Sequence, residues 1–146
     1  MIASARVVLI LAAMLCTGAV QAQQSEMFGP YELHYSVVNS TFLAPEVAAT
    51  YGIVRGDKRA ILNLAVREEM APPGETLNMQ LQGRTWDLIQ SQTLDFLEIR
   101  EGKAVYYIAE FKFINEEWRF FEVDFRPEGA DKTYTFKFKH QLYLEQ

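Results

Sequence analysis

Two histidines, His34 and His140, have the widest chemical reach of any side chains in this sequence. A neutral imidazole ligates copper or zinc, and it moves protons near neutral pH. Metal sites declare themselves by spacing, and these two residues stand alone. There is no His-x-x-x-His pair, no cysteine cluster and no methionine-rich tract. If two sheets brought them together, a carboxylate or Met79 could complete a copper or zinc site. Taken singly, a strand histidine is ordinarily packed and hydrogen-bonded. No metal and no cofactor are expected, and a metal-binding protein or hydrolase using His34 or His140 is the alternative reading.

Glu110 and Glu122 are the next candidates. The hairpin register over residues 93–144 sets them on neighbouring strands, and paired carboxylates do acid–base work on glycosides. Such work needs a cleft, and a flat outer sheet face offers none. Lys112 and Lys137 would simply offset their charge. Nucleophilic catalysis has no support, because the chain lacks a Gly-x-Ser-x-Gly elbow and a glycine-rich phosphate loop. No catalytic residue is assigned. Asn39-Ser40-Thr41 matches a glycosylation sequon and Arg55-Gly56-Asp57 an adhesive tripeptide, and both have complete explanations as loop sequence.

Contact chemistry is better represented. Phe28-Gly29-Pro30-Tyr31 and Asn39-Ser40-Thr41-Phe42-Leu43 surround one strand with aromatics and small polar groups. Trp118 and Phe120 fall on an outward face beside Lys112 and Lys139. Aromatics next to long cations mark contact surfaces. His34, Tyr35, Asn39, Trp118 and Phe120 are therefore the candidate ligand or partner contacts.

The elements that position these residues follow from alternation, which sorts side chains to opposite faces of a strand. Tyr31, Leu33, Tyr35 and Val37 alternate with Glu32, His34 and Ser36. Ala60, Leu62, Leu64 and Val66 share one parity, and so do Leu77, Met79 and Leu81. Gly83 reads as a break, with a further short strand over 85–89. Pro45, Glu46 and Gly52 fit the first position, first turn and cap of a helix of about two turns. Turns at Glu101-Gly102, 115–117 and 127–132 predict a four-strand antiparallel meander over 93–100, 103–114, 118–126 and 133–144. In that register Phe96, Tyr107, Phe125 and Tyr134 form one row. Leu94, Ala109, Val123 and Phe136 form the next, and Phe111, Phe121 and Phe138 a third. One-sided burial of this kind belongs to an antiparallel β-sandwich of immunoglobulin-like architecture, with seven or eight strands and one short helix.

The first 22 residues stand apart. Arg6, the apolar run Val7 to Leu15 and the small-x-small site Val20-Gln21-Ala22 read as a signal peptide cleaved after Ala22. The run is shorter than the roughly 20 residues that span a bilayer. Leu15 precedes Cys16 where a lipoprotein signal wants a small residue, so Cys16 is assigned to the discarded peptide. Residues 23–146 then form a single domain in the periplasm, with no cysteine and no stable membrane anchor after cleavage. The whole chain carries a net charge of −5, which disfavours nucleic acid as a partner.

Several blocks carry a family resemblance. They are Phe28-Gly-Pro-Tyr-Glu-Leu-His-Tyr35, Asn39-Ser-Thr-Phe-Leu43 with Pro45-Glu46-Val47, Tyr51-Gly52-Ile53, Arg100 through Phe111, and Arg126-Pro-Glu-Gly129. Together they resemble the bacterial domain of unknown function (DUF) 4426 family of small exported proteins. The resemblance implies a periplasmic β-sandwich without an assigned activity, and it supplies no catalytic residues. The expected function is a non-enzymatic binding or protein-interaction module, with an unknown protein or small ligand of the periplasm as partner.

Overall fold

Alternating apolar residues build two antiparallel sheets that close over one aromatic layer. The computed structural model describes residues 24–145. The expected signal peptide over 1–22, with Cys16, lies outside them. Among the described residues nine strands run in chain order: β1 Gln24–Phe28, β2 Tyr31–Asn39, β3 Arg59–Glu68, β4 Met79–Trp86, β5 Ser91–Leu94, β6 Leu97–Glu101, β7 Ala104–Lys112, β8 Trp118–Pro127 and β9 Tyr134–Gln141. The first sheet has the order β1-β2-β3-β7-β6 and the second β5-β4-β8-β9. One helix, α1 Pro45–Tyr51, follows β2, with Pro45 in its first turn and Gly52 left-handed at φ 67° as its cap.

The core is where alternation placed it. Phe111, Phe121, Phe125 and Phe136 are each 1% exposed or less. Burying one such ring stabilises by roughly 1.5–3 kcal/mol. Tyr31, Leu33 and Val37 point inward from β2, and Ala60, Leu62, Leu64 and Val66 from β3. The opposite face of the first sheet is half covered by α1. Ile61, Ile99 and Ile108 pack there against Leu43, Val47, Ala48 and Ile53.

Several expectations are corrected. The meander is not continuous, because β7 and β8 lie in different sheets. Phe111 and Phe121 meet across the core, in a T-shaped contact with centroids 5.2 Å apart, not along a ladder. Glu110 and Glu122 consequently sit on opposite outer faces and form no pair. Glu110 binds Arg59, and Glu122 binds Arg84 and Lys137. Lys112 likewise belongs to the other sheet from Phe120 and Lys139.

The stretch 93–100 is also divided. Leu94 ends β5 in the second sheet, and Leu97 begins β6 in the first. The β6–β7 turn is Gly102-Lys103, so Glu98 faces Tyr107 where Phe96 was expected. That slip of two residues preserves which side chains point inward. Gly83 does not end a strand, since β4 runs through it to Trp86 and no strand covers 85–89 as a unit. A Cβ at Gly83 would meet the Glu122 carbonyl at 3.1 Å and Val123 Cγ2 at 3.1 Å, so close packing against β8 explains the glycine. Finally, β1 was not foreseen. Its burial is mostly exposed, so it has no apolar alternation to read, and it is held by ladder bonds to β2.

Candidate functional site

Strand direction sends one set of loops to one end of the sandwich. The ends of β2, β4, β7 and β9 and the starts of β3, β5 and β8 all reach it. Seven of the ten exposed large apolar side chains among the described residues lie there. Phe42 and Val54 flank α1, Ile114 lies between β7 and β8, and Trp118 opens β8. Tyr143 follows β9, and Leu88 and Ile89 occupy the β4–β5 turn. Leu88 is 96% and Ile89 83% exposed. Such crowding of apolar groups at one end asks for an explanation that isolated surface leucines do not.

The loops carrying these side chains are tied to one another. Asn39 Nδ2 donates to the Tyr143 carbonyl at 2.8 Å, and Thr41 donates to Glu145 at 2.7 Å. Arg55 donates to the Thr41 carbonyl, and Ser40 exchanges hydrogen bonds with Gly56. The tail continues the network. The Leu144 N–H donates to Asn115 Oδ1, and Glu116 N–H to the Leu142 carbonyl. An end held this way loses little conformational freedom when it meets a partner.

The β4–β5 turn has its own anchor. Asp87 Oδ1 accepts the backbone N–H of Ile89 at 2.7 Å and of Gln90 at 2.6 Å. These two bonds, more than any other cause, hold the Asp87 carboxyl below the usual carboxylate range. Its other oxygen meets the guanidinium of Arg119 at 3.5 Å, and Glu117 meets the same nitrogen at 3.0 Å. Arg119 is 4% exposed and lies over the ring of Phe111. Two apolar residues are thus displayed on a tip braced from inside.

Beside the tip, the outer face of the second sheet carries stacked rings. Trp86 and Phe120 lie parallel with centroids 5.8 Å apart. The Arg84 guanidinium covers Trp86 at 4.7 Å, and Lys139 Nζ sits 4.9 Å from the Trp118 ring. The two tryptophans of the chain therefore share this corner.

The family model of the domain of unknown function DUF4426 matches residues 25–145. The chain belongs to the DUF4426 family. A DUF4426 protein from Pseudomonas aeruginosa PAO1 is 28% identical, with a TM-score of 0.74 over 87% of this chain and 99% of that one. A copper-bound variant of FetP from uropathogenic Escherichia coli strain F11 is 10% identical, with a TM-score of 0.62 over 85% of this chain and 97% of that one. As-isolated FetP of the same strain, expressed in the periplasm, gives 10% and 0.61 over 86% and 96%. At that identity the FetP likeness is one of fold. No curated protein matches the DUF4426 chain.

The expected contact residues of this DUF4426 protein divide between places. Asn39 and Trp118 are at the loop end, and Phe120 is in the adjoining stack. Tyr35 points inward, its ring 4.6 Å from Phe136 and 4.9 Å from Phe138. His34 faces outward on the first sheet, with Nε2 3.4 Å from Glu32, whose other oxygen meets Arg67. His140 sits half-buried on the inward parity of β9 in the other sheet. The fold does not bring the histidines together, and Met79 lies at the far end of β4 from His140. Among the described residues no group of three or more His, Cys, Asp or Glu could hold a metal ion.

Arg119, Leu88 and Ile89 were not foreseen. Arg119 carried a signal, as a cation sharing parity with Phe121, Val123 and Phe125. The sequence hides the tip because 85–89 reads as strand.

Proposed function

We propose that this DUF4426 protein is a non-enzymatic binding module of the periplasm, and that the loop end is its contact surface. The single observation that carries the reading is the gathering on that end of seven of the ten exposed large apolar side chains among the described residues. Loops hold recognition residues on many β-sandwiches because the sheets fix their positions. The exported location rests on the apolar run Val7 to Leu15 and the small-x-small site before Gln23.

The alternative of a metal-binding protein or hydrolase draws on His34 and on the copper bound to the FetP variant. His34 has one carboxylate neighbour and that carboxylate already serves Arg67, which gives it little to ligate with. A photo-reactive phenylalanine placed at Ile89 tests the contact reading in intact cells. Cross-linking from position 89 to an envelope component, with none from Met70 at the opposite end, supports it. Silence from both positions overturns it.

A further inference from the structure

We infer that the outer face of the second sheet binds a carboxylate-bearing glycan, with Trp118 as the ring on which a sugar stacks. The occupant is peptidoglycan, the carboxylate-bearing sugar polymer of the periplasm. This rests on the proposed location. It goes beyond the loop-end contact, which shares only Trp118 with this face.

Strand register builds the face. Trp86 opposes Phe120, and Arg84 opposes Glu122, between β4 and β8. Phe120 opposes Lys139, and Glu122 opposes Lys137, between β8 and β9. Trp118 stands two residues before Phe120 and so on the same side. It is 49% exposed although Lys139 Nζ lies 4.9 Å from its ring, so ring surface stays open to solvent. A sugar presents C–H groups on one side of its ring, and the electron-rich face of an indole attracts them.

Charge narrows the ligand. Glu122 serves both Arg84, at 3.8 Å, and Lys137, at 3.4 Å. Across the face, Arg84, Arg126, Lys137 and Lys139 outnumber Glu122 and Asp124, on a chain whose net charge is −5. A local excess of cations on an acidic protein is complementary to an anionic ligand. The backbone narrows it again. Both β4 and β8 have a ladder partner on each side. The face between them therefore offers side chains and no open strand edge, which an extended peptide would use. A sugar needs no such edge. A ring beneath it and donors beside its carboxylates are enough.

Co-sedimentation with purified peptidoglycan sacculi tests this on the exported chain. Wild type is expected to pellet with sacculi at low salt, and less at about 0.5 M salt because the charged contacts are exposed. Trp118→Ala is expected to weaken binding about tenfold. Lys137→Gln with Lys139→Gln is expected to weaken it about fivefold. Melting temperatures should hold, because these side chains lie at the surface. Lys103→Gln, at the opposite end with its side chain 81% exposed, is expected to bind like wild type. Wild type left in the supernatant overturns the proposal, and so does a Trp118→Ala chain that pellets as well as wild type. Sacculi whose carboxylates have been amidated are expected to lose binding, and equal binding to them overturns the anionic ligand. Polyglutamate that displaces the protein as well as a soluble digest of sacculi gives the face to an acidic peptide and overturns the glycan. Leu88→Asp with Ile89→Asp is expected to leave pelleting unchanged. Failure to sediment and silence of the Ile89 cross-link are therefore separate results.

Discussion

Arg119 holds Asp87 from inside the sandwich. The guanidinium is 4% exposed, the carboxylate 10%, and they meet at 3.5 Å. A cation so deeply placed is tolerated because Glu117 supplies a second carboxylate and Phe111 a ring face. Removing it would leave two carboxylates largely out of water. Arg119→Met is expected to destabilise the fold by about 3–5 kcal/mol, the range for breaking one side of a buried pair. Chemical denaturation measures it. A loss below about 1 kcal/mol would show that solvent, not Arg119, neutralises the two acids. Arg119→Met combined with Asp87→Asn and Glu117→Gln should recover part of the loss.

A second device joins the sheets. Tyr107 stands on β7 of the first sheet, yet its hydroxyl accepts the Met79 N–H of β4 in the second at 2.9 Å. The same hydroxyl donates to Glu98 at 2.9 Å. Tyr107→Phe keeps the ring and strands the Met79 N–H in a buried position. A cost of about 1–3 kcal/mol is expected, with faster hydrogen exchange at the Met79 amide than at its β4 neighbours. Unchanged exchange there would mean that Met79 finds another acceptor.

Much of this architecture is legible in the sequence, for a definite reason. Alternation fixes which side of a strand is apolar, and Phe121 opposite Phe138, Val123 opposite Phe136 and Phe125 opposite Tyr134 all follow from it. Alternation is blind to whether two inward-facing residues are neighbours in a ladder or face each other across the core. Phe111 and Phe121 satisfy it either way, which is why the sequence pattern pairs β7 with β8. The contact site was half legible. Trp118, an aromatic on an outward strand face, and Asn39, a polar residue at the end of the first alternating strand, are legible in the sequence. Leu88 and Ile89 look like strand residues until the Asp87 turn is known.

Gly83 illustrates the same limit from the other side. The residue reads as punctuation, but it lies within β4, between β5 and β8, where backbone approaches closely. A Cβ there meets the Glu122 carbonyl and Val123 at 3.1 Å and Leu94 Cδ1 at 3.3 Å. Leu94 can shift, whereas the carbonyl belongs to a ladder. Gly83→Ala is expected to cost about 1–3 kcal/mol, read as a lower melting temperature. A gain in stability would show that β8 yields more readily than its hydrogen bonds suggest.

His140 gives a pH dependence whose sign can be worked out. Burial holds its imidazole below the ordinary histidine range, because a charged ring is poorly solvated there. The unfolded chain then binds a proton more readily than the folded one. Stability is full above the unfolded value, about 6.5, and declines as the pH falls from there through the lower, folded value. Carboxylates titrate mostly below that window, and comparison with a His140 variant cancels the groups the two proteins share. Melting temperatures between pH 7.5 and 5 should therefore fall more steeply, by about pH 5, for wild type than for His140→Gln. The ring signals of His140 should titrate with a midpoint below that of a free imidazole. Parallel melting curves for the two proteins would mean that the ring keeps its water, and that the inward parity of β9 has opened by residue 140.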